Sequence, residues 1–400
     1  MLQHFTFVTA GESHGRGLVT VIEGVPAGLP IDAEAIRWEL SRRQKGHGRG
    51  GRMKIEKDAA QILSGVRLGE ALGSPIALLI PNRDWENWQR AMSAEPVPGA
   101  SDEELRRVKL PRPGHADLVG LLKYARSDAR DVLERSSARE TAARVASGAI
   151  AKKLLAEFEI NLGSHVTALA GVEAKRLEPD EYPEDINEAA DESPVRCLDR
   201  EAEQRMIEAI DAAKADGNTV GGVFEVVARG LPVGLGSYVA WHRRLEARLA
   251  AALMSIQAMK GVEIGLGFES SRRRGSEVHD EIESAPGQRL TGGFRRLSNR
   301  AGGLEGGMTN GEPLTVRIAM KPLSTLMRPL KSVDLDTGAP AAAVRERSDV
   351  TAVPAAGVVG EAMVAVVLAD AMREKFGGDS LSEMRANYES YLDRLAERGA

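Results

Sequence analysis

The chain has one cysteine, Cys197, so it can form neither an internal disulfide nor a thiolate metal cluster. Aromatic residues make up only 4%, which leaves a core to be built from Ala, Val, Leu, Ile and Met. The first ten residues have no basic segment and no cleavage signal, so no secretory leader is expected and the cytosol is the expected compartment. No long apolar run is free of charge. The most apolar stretch, Pro354 to Met372, is interrupted by Glu361 and Asp370 and predicts a buried helix rather than a membrane span. The 42 glycines show no three-residue period, which excludes collagen. None of the seven histidines pairs at H-x-x-x-H spacing, so no zinc site is expected.

What is present is a globular composition, 42% hydrophobic and 28% charged over 400 residues. The net charge of -5 argues against a general nucleic-acid coat. Residues 37–54 oppose that average, with Arg37, Arg42, Arg43, Lys45, Arg49, Arg52 and Lys54 against only Glu39. A local basic cluster on an acidic protein points to a small anionic ligand.

Strands are predicted at Phe5–Ala10, Gly17–Val25, Gln61–Leu68, Pro75–Ile80, Thr219–Ala228 and Thr315–Met320. Helices are predicted at Ile31–Gln44, Ala116–Ser127, Arg200–Ala215, Trp241–Met259, Ala356–Phe376 and Leu381–Arg398. Ser137-Ala138-Arg139-Glu140 reads as a capping box opening a further helix that runs to Phe158. Strand pairs without a strict βαβ rhythm favour α+β. No linker divides the chain, so one domain over residues 1–400 is expected. Glu178–Glu192 holds eight acidic residues and no basic one, and predicts a solvated surface insertion near 175–195.

Two motifs match common signatures in the wrong context. Gly11-Glu12-Ser13-His14-Gly15 fits the G-x-S-x-G nucleophile elbow, but that elbow needs a helix next, and Gly17–Val25 reads as a strand. Gly46 to Gly51 fits G-x-G-x-x-G, but follows a helix where a dinucleotide fingerprint follows a strand. Its bare backbone would instead let Arg43, Arg49 and Arg52 approach an anion, which guanidinium forks bind bidentately. A phosphate- or RNA-binding protein using residues 37–54 is the non-catalytic alternative, and the low aromatic count weighs against base stacking.

His14 lies between glycines, and His115 lies in Arg112-Pro113-Gly114-His115-Ala116-Asp117. A histidine in a tight turn beside an arginine can donate a proton to a bound anion. Arg135 to Thr141 is expected at a helix N-terminus, where free N–H groups favour phosphate or carboxylate. Lys321 to Thr325 follows a strand, and Arg347-Ser348-Asp349 precedes the apolar helix. Both are positions where loops carry function.

Together the segments 11–15, 112–117, 135–141, 302–307, 321–325 and 347–349 resemble the chorismate synthase family, in order, from Phe7 to near Phe376. That resemblance implies a sandwich of α-helices between antiparallel β-sheets, assembled as a homotetramer. It implies a lyase of aromatic amino-acid biosynthesis that converts 5-enolpyruvylshikimate 3-phosphate to chorismate by 1,4-anti elimination, dependent on reduced FMN. It implies substrate contacts from Arg43, Arg49, Arg52, Arg112, Arg139 and Arg347, and catalytic roles for His14, His115 and Asp349. His14 would donate a proton to the leaving phosphate, His115 would stabilise the anionic flavin, and Asp349 would work with flavin N5. Flavin contacts are implied for Arg135, Ser136, Ser137, Gln257, Ala258, Gly306, Lys321, Pro322, Leu323, Ser324, Thr325 and Arg347. Arg43 and Arg49 align with positions linked to NADP. Most bacterial-type members take reduced flavin from elsewhere, so both are read first as substrate ligands. Ser348 stands where many members carry histidine.

Overall fold

The 24 residues Val353–Phe376 form helix α8 because Ala, Val and Met dominate, Pro354 sits in the first turn where it costs no hydrogen bond, and Gly377 ends the run. A helix apolar on all sides must be enclosed. Its residues from Val353 to Met372 are all buried, although its length and composition alone would suit a membrane. The computed structural model describes residues 2–50, 58–345 and 349–398. Arg52, Arg347 and Ser348 lie outside them.

Two antiparallel sheets enclose the helical layer. In the first, β1 (Thr6–Ala10) pairs with β2 (Gly17–Glu23), which pairs with β4 (Ile76–Pro81), flanked by the short β3 (Gln61–Ile62). The second holds β5 (Asn161–Leu169), β6 (Val172–Glu173), β7 (Gly222–Arg229), β8 (Met259–Ile264) and β9 (Leu314–Met320). Its order is β8-β9-β7-β5-β6. Between them lie α1 (Ala33–Gln44), α4 (Thr141–Ala156) and α8. α4 packs on β2 and β4, and α8 packs on β5 and β7. The two helices meet closely at Gly148, where any Cβ would lie 2.3 Å from that of Ala362. This is the α+β sandwich implied by the resemblance.

One charge cluster crosses that core. Glu361 of α8 is fully buried and accepts from both terminal nitrogens of the Arg42 guanidinium at 2.9 Å, Lys152 at 2.5 Å, Ser164 Oγ at 2.5 Å and Asn187 at 3.1 Å. A buried carboxylate is tolerated only with such partners. Burial by itself raises its pKa, but Arg42 and Lys152 outweigh that and hold it well below the usual range. The cluster ties the end of α1 to α8, and the next residue along, Arg43, turns the other way.

Several elements differ from expectation. A helix α3 (Arg130–Ser136) precedes the Ser137 turn, so Arg135 and Ser136 end a helix instead of opening one. Ser137 accepts from the Arg139 N–H and starts a 3-10 turn, but Glu140 reaches Thr9 and Arg144 and closes no capping box. The helix expected over Trp241–Met259 is α7, Leu245–Met254, because Ala258 adopts φ +69 and β8 begins at Met259. Much of the acidic stretch runs over the surface. Its end, α5 (Ile186–Asp191), packs on β5 and buries Ile186, Asn187 and Ala190. The remaining helices are α2 (Asp117–Tyr124), α6 (Arg200–Ala215) and α9 (Leu381–Arg398).

Candidate active site

The β1–β2 connection is a turn between paired strands, which removes the strand-to-helix geometry that a nucleophile elbow requires. Gly11 has φ +104, and a Cβ there would meet Gly17 O at 2.3 Å, so the tight turn demands glycine. Asn82, just past β4, clamps the turn through Gly15 O at 2.9 Å. His14 projects from it. Its Nδ1 lies 2.9 Å from both oxygens of Glu134, and its ring stacks on Trp88 with centroids 3.8 Å apart. Glu134 is buried. Burial pushes its carboxyl up, but the hydrogen bond and charge of His14 and the charge of Arg130 hold it below the usual range.

His115 sits in the turn that leads into α2, with its N–H donating to Arg112 O at 3.2 Å. Its Nδ1 lies 2.5 Å from Asp117 Oδ1. Asp117 also accepts from the Arg112 backbone N–H at 3.0 Å and from Nε at 2.9 Å. Burial pushes Asp117 up, yet hydrogen bonds from His115 and Arg112 hold it far below the carboxylate range. Arg112 reaches on to Thr325 Oγ1 at 3.0 Å, and Lys321 donates to Gly114 O at 2.5 Å. The 321–325 loop is thereby docked onto the histidine turn.

Both imidazoles line one cavity of about 270 Å³, together with Ser13, Arg43, Arg49, Arg112, Ser137, Arg139, Gln257, Leu323, Ser324, Thr325 and Asp349. It adjoins a second hollow of about 380 Å³ that shares Arg49, Thr325 and Asp349. Four arginines meet one carboxylate, Asp349, among the described lining residues. Each is held in place: Arg43 donates to Thr141 Oγ1 at 2.9 Å, Arg139 to Asp58 at 2.9 Å, and Arg49 pairs with Asp349 at 3.0 Å. Asp349 also accepts from the Gly50 N–H at 2.6 Å. The lining also has an apolar wall, with Ile256, Met259, Met320, Ala355, Ala356 and Val359. Anchored cations beside an apolar wall suit a ligand with a flat ring and several anionic groups.

Not every expected residue reaches that wall. Arg135 points outward and donates to Thr9 O and Gly11 O, bracing the β1 end of the histidine turn. Gly306 is exposed in the turn between Leu304–Glu305 and Met308–Thr309. Ser136, Ala258, Lys321 and Pro322 flank the cavity without lining it. The basic cluster also divides: Arg42 is spent on Glu361, and Arg37 pairs with Glu34 on the surface. A surface stripe for RNA is therefore not formed by these residues. Glu134, Asp117, Asp58 and Trp88 were not anticipated as partners. Asp117 is legible as the carboxylate two residues after His115, whereas Glu134 lies 120 positions from His14.

A family model described as chorismate synthase matches residues 5–373. The chain belongs to the chorismate synthase family. A chorismate synthase of Symbiobacterium thermophilum is 57% identical over 98% of this chain and 100% of its own length. One of Geobacter sulfurreducens is 58% identical over 97% of this chain and 98% of its own. A crystal structure titled as chorismate synthase superposes with TM-score 0.80 at 44% identity, covering 99% and 100% of the two chains. The chain is accordingly a lyase of the shikimate pathway that converts 5-enolpyruvylshikimate 3-phosphate to chorismate. The family uses reduced flavin.

Proposed function

We propose that the two-histidine cavity is where this chain binds the substrate against reduced FMN, and that His14, His115 and Asp349 act there. The observation that carries this reading is the convergence of both imidazoles, four anchored arginines and Asp349 on one cavity. The residues fit a flavin. Gln257 is held through Nε2 by Glu140 at 3.2 Å, while its buried Oε1 has no hydrogen-bond partner among the described residues, leaving an acceptor for a ring N–H. Ser137, Gln257 and the 323–325 loop would hold the group, and the apolar wall would cover its ring. Reduced FMN, when bound, supplies transient electron density to the substrate.

The chain's own residues do the rest. Arg43, Arg49, Arg112 and Arg139 hold the carboxylates and phosphate, and their own anchors remove the cost of ordering them at binding. Arg43 and Arg49 line the same cavity as the two histidines, which supports reading them first as substrate ligands. Departing phosphate gains charge at its bridging oxygen, and His14 delivers a proton there. With Nδ1 engaged by Glu134, Nε2 is the nitrogen left to deliver it. Asp349, beside Arg49 and the Gly50 N–H, is placed to take part in moving the carbon-6 proton. His115, held by Asp117, keeps a second imidazole beside the ring. The reading extends to a cytosolic homotetramer, checked by sedimentation. Large exposed side chains such as Val8, Tyr238 and Trp241 are suited to contacts between copies.

Anaerobic incubation with reduced FMN and substrate should release phosphate and form chorismate, and Arg139→Ala should raise KM strongly. Unchanged KM in Arg112→Ala and Arg139→Ala alike would remove the cavity as the substrate site.

A further inference from the structure

Glu134 spends every oxygen it has on its neighbours. Its main-chain carbonyl accepts from the Ser13 N–H at 3.0 Å, and Oε2 accepts from the His14 N–H at 2.8 Å. Oε1 accepts from Arg130 Nη1 at 2.8 Å, and both oxygens lie 2.9 Å from His14 Nδ1. Its side chain is buried and does not line the cavity, but touches it through His14. Trp88 stacks on the ring at an interplanar angle of 26° and limits its rotation. Trp88 is itself held by Asp84 at 2.9 Å.

We propose that Glu134 is the positioning residue of His14: it accepts the hydrogen bond from Nδ1–H, aims Nε2 into the cavity and faces the charge of the protonated ring. This rests on the proposed role of His14. The charges around the ring make Glu134 the deciding one. The cations near the ring are Arg130 of α3, Arg106 at 4.0 Å from the Trp88 ring centroid, and Arg139 in the cavity lining. Glu12 lies in the same turn, and Glu134 is the carboxylate in contact.

The test compares the kcat pH profiles of wild type, Glu134→Gln and Arg130→Met with reduced FMN. Glu134→Gln keeps the side chain's size, should lower kcat by at least about tenfold at little cost in KM, and should move the alkaline limb down by about 1–2 units. Arg130→Met removes a cation that competes for Glu134, and should move the same limb up. In wild type labelled at histidine nitrogen, neutral His14 should show the Nδ1–H tautomer, a readout that needs no variant. An Nε2–H tautomer overturns the proposal, as does a folded Glu134→Gln with an unmoved limb. A wild type that releases no phosphate condemns the functional reading instead, since the tautomer is read without turnover.

Discussion

His14 and His115 reach the same cavity by opposite routes. His115 brings its own carboxylate, Asp117, two residues later at the start of α2, and the same turn supplies Arg112. His14 depends on Glu134 from α3, 120 positions away, and on Trp88 from a third segment. The local corner is one rigid unit in which a cation, a carboxylate and an imidazole stand or fall together. The distant corner joins separate elements, so its imidazole can be disturbed without unseating an arginine. One cavity therefore holds one histidine as part of a local rigid frame and the other through contacts with distant segments.

The widest separation between the corners should appear in the histidines. His14→Ala should lower kcat by about 10²–10⁴-fold with KM nearly unchanged, the range of a lost general acid. His115→Ala should weaken reduced-flavin affinity as well, measured anaerobically by flavin fluorescence. Matching kinetic profiles for the two variants would erase the distinction. Next, Asp117→Asn removes the buried carboxylate that Arg112 and His115 share, and should cost about 3–5 kcal/mol of stability in denaturant titration. It should also raise KM, because Arg112 lines the cavity.

A smaller effect concerns acid. Both Asp117 and Glu134 have folded-state pKa values below the unfolded ones. Their stabilisation is thus complete above the unfolded carboxylate value of about 4 and is lost as pH falls through the depressed folded values. Melting temperatures recorded downward from pH 6 should fall below about pH 4, and Asp117→Asn should flatten that slope. An identical slope in the variant would show that Asp117 titrates alike in both states. Smallest is Trp88→Phe, which keeps a stacked ring but loses the bond to Asp84. It should cost about 0.5–1.5 kcal/mol, read as a kcat loss of no more than about tenfold with the His115 side unaffected.

The same contrast between local and distant partners governs what could be read in advance. α6 and α9 run over the expected residues, because each carries an amphipathic pattern with its own end signals, Asp199 capping the first. α3 is seven residues long and buries Arg130 and Glu134, which only pairing makes tolerable. Nothing in a charged heptamer announces that. β5 leaves little local trace for a similar reason: Ser164 and His165 bond Glu361 and Glu225 in the interior, so the strand lacks apolar alternation. The cavity residues Arg43, Arg49, Arg112, Arg139, His14, His115 and Asp349 stood in motifs visible along the chain. Their anchors Asp58 and Glu134 did not.

Residue order alone therefore determined the long helices, the sharp glycine turn that carries His14, the self-contained His115 unit and the family. Short-range periodicity, capping and turn chemistry act over a few residues and leave a local trace. Which arginine lines the cavity and which is buried against Glu361, and which carboxylate stands behind His14, was decided by tertiary packing. A buried charge chooses its partner by proximity in space, and separation along the chain has no bearing on that energy.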